Sequence, residues 1–361
     1  MKRLFAFLGL LFALGPFLTE RVSAACTPED VTDAVPASAG DMLVGTAAAP
    51  DAEGTLENLF AALEEAVGKY GKEALSGAGA VVAVALLCSA VSSAFGADKG
   101  KTPDYTVMAG ALGIMALTAG NLRGFLGDAK NVICTLGDFS KILLPALAAA
   151  SAASGNPALG TAGYAVTAFF MDLLMTVAEH GAVPLVYGYT ALSFGGAALD
   201  NEGLRSAAKL MKTTIIGLLT VLMLTFTIFL TTAGAITGTA DATATKLTKT
   251  AISTVLPVVG GIVSDAAAAV VNGAGMIRGS VGLFGLLTVC AVCLVPVVRL
   301  ALHTLLYRVA GAFAASVTQA RLSGLIGAVG EAVGMMLGIA GACAMMVFLS
   351  VTCFICAGTG G

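Results

Sequence analysis

The stretch "KTAISTVLPVVGGIVSDAAAAVVNGAG", Lys249 to Gly275, sets a proline, two adjacent glycines and an aspartate inside an otherwise apolar run. Pro257 has no backbone N–H to donate and crowds the carbonyl four residues back, while Gly260 and Gly261 add backbone freedom, so a plain lipid-facing helix is disfavoured. Non-helical backbone at membrane depth persists only where protein covers it or water reaches it. The stretch therefore predicts a discontinuous or re-entrant helix lining an interface or a polar path. Its candidate path residues are Pro257, Gly260, Gly261, Ser264 and Asp265.

The rest of the chain reads as the housing of that segment. Hydrophobic residues make up 57% and charged residues 11%, against roughly 25% charged in a soluble domain. The expected fold is all-α: a polytopic membrane helix bundle with proline-broken or re-entrant segments. A net charge of -3 without a basic block argues against nucleic acid as a partner. Tryptophan is absent, which leaves tyrosine and scattered basic residues as interfacial anchors.

Residues 1–25 read as a signal peptide: Lys2 and Arg3 precede an apolar run, and "VSAAC" offers small residues for cleavage near Ala24 or Ala25. An uncleaved anchor or lipidation at Cys26 are the alternatives. Residues 26–54 are rich in Ala, Pro and acid, without periodicity, and are expected to be a flexible extracytoplasmic lead. Over 55–76, Leu56, Leu59, Phe60, Leu63 and Val67 fall at helical spacing among Glu57, Glu64, Glu65 and Lys72. This predicts an amphipathic helix that packs on its own bundle, lies on the bilayer or docks another protein. Residues 77–361 form the polytopic domain.

Seven spans are expected there: 78–95, 105–122, 158–178, 183–199, 213–236, 281–298 and 327–355. Two further segments resemble each other. Each runs Thr-Ala-Gly, then an acid (Asp128, Asp241), then Leu-Pro (Pro145, Pro257) and small residues, which hints at a duplicated span plus proline-broken hairpin. The positive-inside rule applied to Lys99, Lys101, Arg299, Arg308 and Arg321 favours the Pro145 segment spanning and the Pro257 segment re-entering.

Catalytic parts are missing from the sequence. With His180 and His303 as the two histidines, there is no HExxH, nucleophile elbow or Walker A motif. No cofactor or metal is implied. Cys290/Cys293 and Cys353/Cys356 form CxxC pairs, but in apolar runs without a neighbouring cation, so they read as packing residues and both histidines as interfacial. Asp172, Asp265, Arg278 and Glu331 interrupt apolar surroundings and must face inward, as a polar path or as structural pairs. Gly330, Gly334 and Gly338 recur every four residues, a groove for close helix packing inside the chain or in a homo-oligomer.

Four stretches carry a family likeness: "FSKILLPALAAASAASG" from Phe139, "LPVVGGIVSDA" from Leu256, "SVGLFGLL" from Ser280 and "LVPVVRLALHTLLYRVAGA" from Leu294. In this order, behind a signal-like start, they resemble the stage III sporulation protein AE family. The resemblance implies a non-enzymatic membrane subunit of the channel between mother cell and forespore, in the mother-cell membrane surrounding the forespore. It also implies sister AA to AH proteins as partners, including a secretion-type ATPase and ring-forming subunits. An export-gate or permease-like part is the expected role, and a scaffold that anchors the ring-forming partners is the alternative.

Overall fold

A chain this apolar has to satisfy its backbone polar groups within each segment, and helices do so. The computed structural model describes residues 28–94, 105–153, 164–255 and 260–356, with the backbone alone over 230–275 and at 166, 278 and 356. Among the described residues no strand forms; one isolated bridge joins Gly45 and Pro50. The helices are α1 (Pro28–Asp33), α2 (Ala37–Gly40), α3 (Ala52–Ala94), α4 (Tyr105–Ala153), α5 (Tyr164–Val177), α6 (Val183–Ala198), α7 (Glu202–Val255), α8 (Gly260–Val317) and α9 (Ala320–Cys356). A π-helical turn, Ala178–Ala182, joins α5 to α6.

Among the described residues six helices are long and apolar enough to cross a membrane, where the sequence predicts seven spans. The difference lies at Glu179-His180-Gly181, taken from the sequence as a connection between two spans. There the π turn carries the helix through, so Thr167–Ala198 is one candidate span. Two other expected boundaries vanish in the same way. The amphipathic helix and the first span are a single helix of 43 residues, α3. The 105–122 span and the Pro145 segment are a single helix of 49 residues, α4, with Pro145 inside it. Buried Leu143, Leu144 and Leu147 pack that stretch into the core, and Leu143 and Leu147 meet α8 at Gly285 and Gly282, so tertiary contact carries the helix through the proline. At about 1.5 Å per residue these helices reach about 64 and 74 Å, roughly twice a hydrocarbon core of about 30 Å.

The acidic lead is folded over its described part. Val31, Ala39 and Ala47 are fully buried. The Thr32 hydroxyl accepts the Ala47 N–H at 3.0 Å, and the Thr55 hydroxyl accepts that of Val44, also at 3.0 Å. Gly45 makes the turn at φ 89°, where a Cβ would sit 2.5 Å from the Ala49 carbonyl oxygen. The small apolar residues that gave no periodicity are those that seat α1 against α4 and α2 against α8.

The centre of the bundle is the α8–α9 hairpin. The two helices close tightly: a Cβ on Gly311 would come within 3.1 Å of the Gly327 backbone nitrogen. α3 packs on α8 and α4 along one flank, and α7 packs on α6 and α9 along the other. The signal-peptide residues and Pro257 lie outside the described residues. α7 ends at Val255 and α8 begins at Gly260, so Gly260, Gly261, Ser264 and Asp265 occupy the first turns of α8. Of the proposed duplicates, the one around Pro145 is interior to a helix.

Candidate functional site

Three positions one turn apart on α8, Arg299, His303 and Tyr307, share a helix face, and that face meets α3 and α4. Arg299 donates from Nη1 to Asp128 Oδ2 at 2.7 Å and from Nη2 to Glu73 Oε1 at 3.1 Å. Its guanidinium carbon lies 5.4 Å from the ring centroids of both Tyr70 and Phe125. A planar guanidinium suits this position, because it can fork between two carboxylates while stacking on aromatic faces. His303 is 1% exposed, with its ring 4.4 Å from that of Phe125 and its Nε2 3.9 Å from Glu73 Oε1. Tyr307, equally buried, stacks on His303 at 6.1 Å and lies beside Asn121. The sequence suggested an interfacial His303. The structure corrects this, because the aromatic residues of α4 and α8 enclose it.

A second cluster lies across α9. Glu331 accepts hydrogen bonds from Tyr189 Oη of α6 and Lys212 Nζ of α7, both at 2.6 Å. The glycine stripe joins the two clusters. A Cβ on Gly330 would stand 3.2 Å from Tyr307 Cβ and from the Arg308 nitrogen, and one on Gly334 would stand 3.2 Å from Thr304 Cγ2 and 3.5 Å from Arg308 Nη2. Bare backbone at these positions lets α9 lie directly on the polar face of α8. Gly338 faces Leu219 of α7 at 3.9 Å. A third pair, Lys130–Glu179 at 3.2 Å, lines a cleft of about 350 Å³ between α4 and the π turn, together with Arg123, His180 and Tyr187.

These groups form one charged layer through an apolar bundle. Four carboxylates, Glu73, Asp128, Glu179 and Glu331, are paired with three cations, Lys130, Lys212 and Arg299, and Arg123 and Arg308 stand close by. Its polar atoms are not all paired. Arg299 Nε, both nitrogens of His303 and the Thr304 hydroxyl are buried with no hydrogen-bond partner among the described residues. Buried polar groups in folded proteins are almost always bonded, to protein or to ordered water. The orphans Arg299 Nε, His303 and Thr304 cluster on α8. Among the described residues no group of three or more His, Cys, Asp or Glu is placed to hold a metal ion.

The family model for stage III sporulation protein AE matches residues 42–358, nearly the whole described bundle. The chain belongs to the stage III sporulation protein AE family. Stage III sporulation protein AE of Bacillus subtilis (strain 168) is 22% identical over 254 residues, which is 70% of this chain and 63% of the relative. The chain thus spans less than two thirds of the length of that curated relative. No solved structure matches. This AE-family chain is a multi-pass membrane protein by the six apolar helices among its described residues, and its charged layer lies within the matched region.

Of the residues singled out from the sequence, Glu331 and the glycines at 330 and 334 come together at the layer. Asp172 is exposed on α5, and the side chains of Ser264, Asp265 and Arg278 are not among those described. Cys290 is exposed, Cys293 buried and Cys353 half-buried, all within apolar helices. Sequence reasoning missed the Glu73–Arg299–Asp128 triad. Its one local signal was three polar residues at i, i+4 and i+8 in an apolar helix, at 299, 303 and 307.

Proposed function

We propose that the chain is the export-gate or permease-like subunit of the sporulation channel linking mother cell and forespore, carrying no enzymatic activity of its own. On this reading it resides in the mother-cell membrane surrounding the forespore and supports late forespore gene expression. It works with the other stage III AA to AH proteins, a secretion-type ATPase and ring-forming subunits among them. The observation that carries the proposal is the incompletely paired charged layer inside a membrane bundle of this family. Paired charges bridge three helices on the α3 flank and two on the α7 flank, where the Tyr189 hydroxyl adds a third, and the orphaned polar atoms between them favour water over closed packing. Gly260, Gly261, Ser264 and Asp265 open α8 at the end of the helix that carries this layer, which keeps the Pro257 segment as the proposed entrance.

The test is a sporulating strain whose single AE protein is the variant, read for small-molecule passage and late forespore reporter activity. Gly260→Leu narrows the proposed entrance, and Arg299→Lys keeps the charge but loses the fork. With protein level unchanged, both are expected to reduce passage. Normal passage with both would overturn the conduit. The chain would then be a scaffold anchoring the ring-forming partners, the second reading, which the exposed half of α3 favours.

A further inference from the structure

The N-terminal half of α3 has two apolar faces, and the bundle uses only one. Thr55, Leu59, Ala66 and Ala74 are buried inward. Leu56, Phe60, Leu63 and Val67 follow one another at spacings of four, three and four on the adjacent face, and three of them stay open: Leu56 is 46%, Phe60 68% and Val67 45% exposed. A 4-3-4 seam is the pattern with which one helix receives another. A Cβ on Gly68, beside the seam, would meet nothing within 4 Å.

We propose that this seam docks a helix of another protein whose own apolar stripe is flanked by lysine or arginine. Charge selects the occupant. Glu53, Glu57 and Glu64 are all exposed along one edge of the seam, and no basic residue occurs between 53 and 68. Seam-to-seam pairing of two antiparallel copies would set Glu57 and Glu64 of one against those of the other, and parallel pairing would set them against the uncharged edge at Leu59 and Ala66, so neither gives them a countercharge. Anionic headgroups are repelled by the same carboxylates. Acyl chains are unsuitable too, because each carboxylate facing hydrocarbon costs a few kcal/mol. The helix also runs without interruption from Ala52 to Ala94, so its first half cannot fold flat on a bilayer crossed by its second half. A basic amphipathic helix satisfies both the apolar stripe and its acidic rim.

The full chain in lipid nanodiscs is titrated with two synthetic helical peptides, each with leucine at a and d and either lysine or glutamate at e and g. The lysine peptide is expected to bind saturably and the glutamate peptide not to bind. Phe60→Asp is expected to weaken binding by at least about tenfold, as loss of a central aromatic anchor does. The double variant Glu57→Lys/Glu64→Lys is expected to exchange the preference, which a misfolded chain cannot do. Equal binding of both peptides, or of neither, overturns the proposal. So does a dimer that Phe60→Asp abolishes in light scattering, which would assign the seam to a second copy. Flotation of the chain with phosphatidylglycerol vesicles that is lost in Phe60→Asp would assign it to lipid, and also overturns it. The seam stands apart from the charged layer, so these outcomes are independent of whether the bundle conducts.

Discussion

The two flanks of the bundle, α3 and α7, read alike in sequence and differ in place. Each begins charged and turns apolar: α3 carries Glu53 to Glu73 before its run to Ala94, and α7 carries Arg205, Lys209 and Lys212 before Thr213 to Phe229. Contacts with α9 fix their heights. Cys88 of α3 and Leu322, near the start of α9, both crowd Gly110 of α4, whereas Leu219 of α7 meets Gly338, further along α9. The apolar halves therefore lie on opposite sides of the charged layer. Each is about 25 Å long at about 1.5 Å per residue, so end to end they exceed one hydrocarbon core of about 30 Å. A hydropathy run in such a molecule marks a surface that tolerates lipid, and depth follows only from the contacts.

The sharpest way to break the comparison is to unpair the charge that ties each flank to the centre. Arg299→Met leaves the Glu73 and Asp128 carboxylates without their cation. The cost of stranding a buried charge is about 3–5 kcal/mol, reduced here because Arg299, Glu73 and Asp128 keep 24%, 44% and 30% of their side-chain surface. A loss of about 2–3 kcal/mol is expected on this flank, read as unfolding of the purified chain in detergent. Lys212→Met on the α7 flank strands Glu331 alone and is expected to cost less. Adding Glu331→Gln should restore part of that loss, and a purely additive double variant would show that the pair is not coupled.

Charge placed on the apolar halves is read in a separate membrane-insertion assay. Leu224→Lys lies in the middle of α7's apolar run, whose most apolar window is 11% buried, and is expected to cost about 2.5–3.5 kcal/mol in apparent insertion energy. Leu87→Lys lies near the end of α3, where lysine can snorkel, and should cost clearly less in the same assay. A reversed order would exchange the lipid-facing assignments of the flanks. The smallest effect concerns packing. Gly334→Ala should destabilise by about 1–3 kcal/mol, because the new methyl meets Thr304 and Arg308. Gly341→Ala, with nothing within 4 Å of its Cβ position, should be neutral or slightly stabilising, and equal effects would place both glycines outside any helix contact.

How much of this was legible in the sequence depends on range. Composition gives the all-helical membrane class, and periodicity over 55–76 gives the apolar faces of α3. Helix ends were harder to read: Glu179-His180-Gly181 and Pro145 are connection or breaker signals locally, and packing of α4, α5 and α6 overrides both. The charged layer was legible only in fragments. Glu331 stood out because it interrupts a span, and the glycine stripe because it repeats. Arg299 was noticed as a topology marker only, since its partners lie 171 and 226 positions away. No local pattern announces a pairing between residues so distant in the chain. Pro257, which led the sequence reading, lies outside the described residues and keeps its role as a proposal.

On the conduit reading, water occupies the layer between the two apolar halves. Hydroxyl-radical footprinting of the full chain in nanodiscs compares side chains of equal burial: His303, Tyr307 and Phe125 in the layer against Phe139, Phe226 and Phe354 in the apolar core, all 2% exposed or less. The expected result is modification of the layer residues several-fold faster than of the core phenylalanines, after correction for intrinsic reactivity. Equal protection of the two sets would contradict a wetted layer and leave a closed, purely structural ion-pair network.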